Sequence, residues 1–122
     1  MILVDTSVWI DHLRSGSTEL SALLIKLEVL MHPLVIGEVA CGNLNNRALV
    51  LKLMRGLPQV KVATDAETLY FIEQRRLMGR GMGYIDAQLL AAAAMTPPCK
   101  IWTRDKNLDR ITSELGLAWQ QA

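Results

Sequence analysis

Short, wholly apolar runs alternate along this chain with longer stretches in which apolar residues recur every three or four positions. Ile2, Leu3 and Val4 form the first run, the pattern of a strand buried on both faces of a parallel sheet. "VWIDHL" then places Val8, Trp9 and Leu13 at helical spacing, and "TELSALLIKLE" places Leu20, Leu23, Leu24 and Leu27 on one helical face with Thr18 as its cap. "VLMH" is a second strand, and Pro33 suits the first turn of a helix over "PLVIGEVACG". A further amphipathic helix over "NNRALVLKLMRGL" ends at Gly56 and Pro58.

"QVKVA" alternates as a third strand, and "DAETLYFIEQRRLMG" opens with an acid and closes with two arginines and a glycine, as a helix does. The glycines of "MGRGMGY" predict a loop, and "IDAQLLAAAAM" a small-residue helix that packs closely on a sheet until Pro97 and Pro98 stop it. "KIWT" is the fourth strand, "DKNLDRITSELG" the last helix and "LAW" a closing fifth strand. Strands alternating with helices predict an α/β fold, with a parallel sheet covered on both sides.

Composition narrows the function classes. The chain has 122 residues, 51% of them hydrophobic and 5% aromatic, so one compact domain over residues 1–122 is expected, with a core of aliphatic side chains. "LLAAAAM" is far shorter than the ~20 residues of a membrane span, and the N-terminus lacks the pattern of a signal peptide, which predicts a soluble, cytoplasmic protein. Cys41 and Cys99 lie far apart with no ligand neighbours at metal spacing and read as reduced core thiols.

The candidate chemistry lies in four acids. In open α/β sheets ligands bind beyond the carboxyl ends of the strands, and Asp5 ends the first strand while Asp105 ends the fourth. Either could simply cap the helix that follows. Glu38 sits among apolar residues of its helix, where an unpaired carboxylate is costly, so a basic partner or a cation is expected beside it. Asp86 occupies a first helical turn, where the helix dipole favours an anion. Carboxylates gathered in one pocket suit Mg²⁺ or Mn²⁺, hard ions that prefer oxygen ligands and that activate water against a phosphodiester.

The two histidines do not offer the alternative acid–base pair of a metal-free ribonuclease. His12 falls within a short helix and His32 before Pro33, neither at the crevice, and zinc lacks its usual ligands. With the four acids set aside, eight acidic residues face 13 basic ones, an excess of five positive charges that suits a phosphate backbone. Arg75, Arg76, Arg80, Arg104, Lys106 and Arg110 are the candidate phosphate contacts, with solvated helix ends as their plain alternative.

"ILVDTSVWI", "GEVACG", "GYIDAQLLAAAA" and "IWTRDKNL", in this order and spacing across essentially the whole chain, resemble the PIN domain and in particular the short bacterial VapC ribonuclease toxins. The resemblance implies a five-stranded sheet of order 3-2-1-4-5. It also implies that Asp5, Glu38, Asp86 and Asp105 are the catalytic, metal-binding acids holding Mg²⁺ or Mn²⁺, with Thr6 and Thr103 orienting them. It further implies an endoribonuclease toxin that cuts structured RNA such as tRNA, leaves a 5′-phosphate and inhibits translation. A homodimer neutralised by a VapB-type antitoxin belongs to the same expectation.

Rival readings fit less well. A non-catalytic PIN-like module binding RNA or protein would be expected to have lost one of the acids. A phosphoacceptor receiver domain needs an Asp closing "QVKVAT", and a haloacid dehalogenase-type phosphatase needs an acid where Ser7 stands. A DNA-directed nuclease of this type carries helical clamps for which 122 residues leave no room.

Overall fold

The computed structural model describes residues 1–120. Its centre is β1 (Ile2–Val4), three residues buried on both faces and flanked in parallel by β2 (Val29–Leu30) and β3 (Lys100–Trp102). The register sets Leu3 beside Leu30 on one side and beside Ile101 on the other. Parallel neighbours need long crossovers, which here are helical. α1 (Thr6–Ser15) and α2 (Thr18–Ile25) join β1 to β2. α3 (Pro33–Ala40), α4 (Arg47–Arg55), α5 (Asp65–Arg75) and α6 (Tyr84–Ala94) lie between β2 and β3, and α7 (Lys106–Glu114) follows.

Among the described residues the sheet has three strands, against the five expected. The two outer segments are nonetheless in their expected places. Met31 donates to Pro58 O (2.8 Å) and accepts from Val60 N (2.9 Å), while Ile101 donates to Leu117 O (2.7 Å) and accepts from Trp119 N (2.8 Å). The resulting parallel contacts, Met31 with Gln59 and Ile101 with Ala118, give the 3-2-1-4-5 order with its outer members reduced to single bridges. The reason is burial: beyond Val60 the segment exposes Lys61 and Val62, so no apolar face draws it further along β2. Such short edges also resist pairing with other chains.

The helices pack in two sets. α1, α3 and α4 contact one another in succession, while α6 lies against both α5 and β3. α6 earns its central place by having small side chains, since Ala87, Ala91, Ala92 and Ala93 are all buried together with Leu89 and Leu90. No helix among the described residues is long and apolar enough to cross a membrane.

Three local expectations are corrected. The cap of α2 is the hydroxyl of Ser17, which accepts from Leu20 N (3.2 Å), one residue before Thr18. Leu27 does not join the apolar face of α2. It takes φ 58° as the chain turns back into β2, and is 77% exposed. Cys99 is a buried thiol as expected, but Cys41 caps the C-terminus of α3 and is exposed.

Ile101 is fully buried in β3, and its backbone N–H and C=O both bond to the 117–119 segment that forms the sheet's edge. Ile101→Ala should therefore cost about 2–5 kcal/mol, read as a lower urea midpoint without a change in slope.

Candidate active site

The strand ends dictate where the first two acids lie. Asp5 N donates to Trp102 O (2.9 Å), continuing the β1–β3 ladder one residue past the strand and setting Asp5 beside Thr103. Asp5 is buried, and its Oδ2 accepts from both Thr103 Oγ1 (2.8 Å) and Ser7 Oγ (2.8 Å). Asp5 holds the N-cap position of α1, yet its side chain makes no cap bond. Capping therefore does not explain this acid.

The same hydroxyls reach the fourth acid. Thr103 Oγ1 accepts from Asp105 N (3.0 Å) and Ser7 Oγ accepts from Arg104 N (3.0 Å), so the turn after β3 is tied to the carboxylate that ends β1. Asp105 is exposed, and its Oδ1 caps α7 by accepting from Leu108 N (2.9 Å). Here the capping explanation holds and uses one oxygen.

Glu38 projects from α3 towards α1, where Thr6 Oγ1 donates to its Oε1 (2.6 Å). Among the described residues neither a lysine nor an arginine pairs with it. The ion pairs among the described residues, Arg80–Glu114 (2.8 Å) and Arg104–Asp11 (2.9 Å), involve none of the four acids. Asp86, half-buried in the first turn of α6, reports on the other three. Its pKa is pushed up to about 6 from 3.8, first by burial and then by the negative charges of Asp5, Asp105 and Glu38. Four acids separated by up to 100 positions thus share one electrostatic neighbourhood at the carboxyl edge of the sheet.

The four carboxylates do not close on a single point. Among the described residues no three His, Cys, Asp or Glu side chains form a ready-made cage for an ion. The donor set nonetheless suits a hydrated hard cation. Asp5, Glu38 and Asp105 each have one oxygen held by a hydroxyl or amide, while the other has no hydrogen-bond partner among the described residues. Mg²⁺ commonly keeps several waters and takes only one or two carboxylates directly.

Thr6 and Thr103 stand where the sequence placed orienting hydroxyls. Ser7 was missed in that role, although a hydroxyl two residues after a strand-ending acid is a recognisable local partner for it. The histidines stay apart from the site. His32 is buried and caps α3 through Nδ1, and His12 Nδ1 accepts from Ser17 N (3.0 Å); burial lowers the pKa of both.

Residues 2–114 match the PIN domain family. The chain belongs to that family. Over 118 residues, 97% of this chain and 95% of the relative, it is 48% identical to a protein named Ribonuclease VapC32 in two strains of Mycobacterium tuberculosis, CDC 1551 / Oshkosh and ATCC 25618 / H37Rv. It is a PIN domain of VapC type, and the sheet order and acid placement above are features of that PIN domain as it occurs here.

The raised pKa of Asp86 has a measurable sign. Because the folded value exceeds the unfolded one, the contribution of Asp86 to stability is most favourable below pH ~4 and is lost as the pH rises through about 6. Without divalent ions, Asp86→Asn should be more stable than wild type at pH 7.5, by roughly 1 kcal/mol after allowing for solvent screening of a half-exposed group. Urea unfolding in EDTA should show that gap vanish at pH 4.

Proposed function

We propose that this VapC-type PIN domain is a Mg²⁺- or Mn²⁺-dependent endoribonuclease toxin, with Asp5, Glu38, Asp86 and Asp105 as its metal-binding and catalytic acids. The supporting observation is the gathering of four acids at one sheet edge: the Asp86 carboxyl is pushed up first by its burial and then by the charges of Asp5, Asp105 and Glu38, and among the described residues no lysine or arginine pairs with any of them. Such an arrangement is costly for folding alone and suits a cation. A bound divalent ion would supply charge neutralisation at the scissile phosphate and would acidify the attacking water.

The remaining work falls to the chain. Thr103 and Ser7 fix Asp5 through one oxygen, Thr6 fixes Glu38, and the α7 cap fixes Asp105, so the free oxygens keep their aim without losing negative charge. Cations flank the acids without neutralising them. Arg104 is drawn to Asp11, which leaves Lys106 in the first turn of α7 as a phosphate contact for RNA.

The reading extends to structured RNA such as tRNA as substrate, to inhibition of translation in the cytoplasm, and to a homodimer neutralised by a VapB-type antitoxin. Exposed apolar side chains on α4 and α5, among them Leu49, Leu53, Leu69 and Tyr70, are surface that protein partners would cover.

Incubation of wild type, Asp5→Asn and Asp86→Asn with total tRNA in Mg²⁺ or EDTA tests the enzyme. Wild type with Mg²⁺ should cleave and leave 5′-phosphates, while EDTA or either substitution should abolish cleavage. Equal cleavage in all conditions would refute the metal mechanism, and binding without cleavage by wild type would favour a non-catalytic RNA-binding module. Thr103→Val, which keeps every ligand but removes one of the two hydroxyls that hold Asp5, should lower the rate about 10–100-fold while leaving the far-ultraviolet spectrum unchanged.

A further inference from the structure

A second concave surface lies along the side of the molecule that carries Thr6 and Glu38. It is a groove of about 440 Å³ between the later half of α1 and the loop joining α3 to α4, lined by Ile10, Leu13, Arg14, Asn43, Asn45 and Asn46 among others. That volume falls in the range of small-ligand sites. Ile10 and Arg14 follow Thr6 by one and two turns of α1, and Gly42 on the groove's far wall follows Glu38 by four residues, roughly 6 Å at 1.5 Å per residue. The groove therefore begins within about two stacked nucleotides of Glu38, each nucleotide advancing a strand by ~3.4 Å.

Its lining combines the two kinds of group that a base requires. Asn43, Asn45 and Asn46 bring carboxamides, which carry both donors and an acceptor, and Ile10 and Leu13 bring apolar surface. The loop presenting them is held in shape by Arg47, whose guanidinium donates to Gly42 O (3.0 Å) and Ala40 O, and Asn46 takes the left-handed conformation (φ 53°) that asparagine tolerates well. A phosphate fits this place less well. α1 and α3 both end here with their carbonyl-rich, partially negative termini, and Arg47 is committed to those carbonyls, leaving Arg14 as the groove's available cation.

We infer that this groove is a subsite that binds one unstacked RNA base beside the scissile phosphate and confers base preference on the cut. The inference rests on the ribonuclease reading above, and adenine is the base whose N6 and N7 best match a carboxamide.

The test titrates the four nucleoside 5′-monophosphates separately into ¹⁵N-labelled wild type, Arg14→Ala and Asn43→Ala/Asn45→Ala, following the side-chain amide signals of the loop asparagines. In wild type one base should bind at least fivefold tighter than the others and move the asparagine signals, and both variants should erase that preference. A spread below fivefold, no movement of these signals, or preference unchanged in both variants would overturn the subsite and leave the groove to a protein partner. In parallel, cleavage of a randomised single-stranded RNA pool with Mg²⁺ should give a base bias next to the cut that the double variant flattens. Failure of wild type to cut either this pool or total tRNA would count against the nuclease reading, whereas cutting with the same bias in wild type and double variant would count against the subsite alone.

Discussion

The parallel pairing of β1 with β3 is the constraint on which the site depends. It joins residues about 100 positions apart, and it does not stop at the strands. The Asp5 amide extends the ladder to Trp102 O, and the Thr103 hydroxyl then bridges the two turns by donating to the Asp5 carboxylate while accepting from the Asp105 amide. Slippage by one residue would reverse the faces of β1, misfitting its packing on both sides and turning Asp5 away from Thr103. Apolar burial of β1 on both sides therefore aligns the acids as well as stabilising the fold.

That alignment opposes stability locally. Four carboxylates share one edge, and the Asp86 carboxyl, pushed up first by its own burial and then by the other three charges, holds its proton to about pH 6. The core tolerates the repulsion because it is buried elsewhere: α6 carries Asp86 in its first turn, and from Ala87 to Ala93 the helix is packed under the sheet. A helix anchored so firmly along its length can hold an unfavourable charge at one end. Structures often keep such local strain where function requires it.

Much of this was legible in the sequence because the signals were local or periodic. The three buried residues before Asp5, the small-residue run of α6 and the Pro33 start of α3 each determine their element, and the positions of Asp5, Asp86 and Asp105 at element ends follow from them. What periodicity could not supply was how far a strand runs. "QVKVA" alternates convincingly, but its pairing depends on whether β2 extends far enough to receive it, and β2 offers only Met31 beyond its two residues. The orienting partners of the acids are likewise tertiary facts. Thr6 reaches Glu38 across 32 positions, and the choice of Ser17 over Thr18 as a cap turns on a one-residue difference in where α2 begins. Which arginines stand free for RNA is hidden for the same reason, since Glu114 engages Arg80 and Asp11 engages Arg104.

The choice of hydroxyls as neighbours follows from the charge the pocket must keep. An arginine beside Asp5 or Glu38 would hold the side chain firmly, but it would also cancel the negative potential on which a cation depends. A threonine or serine hydroxyl directs one oxygen and leaves the carboxylate's net charge intact. Arg104 illustrates the separation: it lies between Thr103 and Asp105 in sequence, yet its guanidinium is drawn outward to Asp11 and lies 5.7 Å from the centre of the Trp102 ring. Only its backbone amide turns inward, to the Ser7 hydroxyl that holds Asp5. The same residue thus braces the site through its main chain while its charge stays outside, engaged by Asp11 at the rim and absent from the centre.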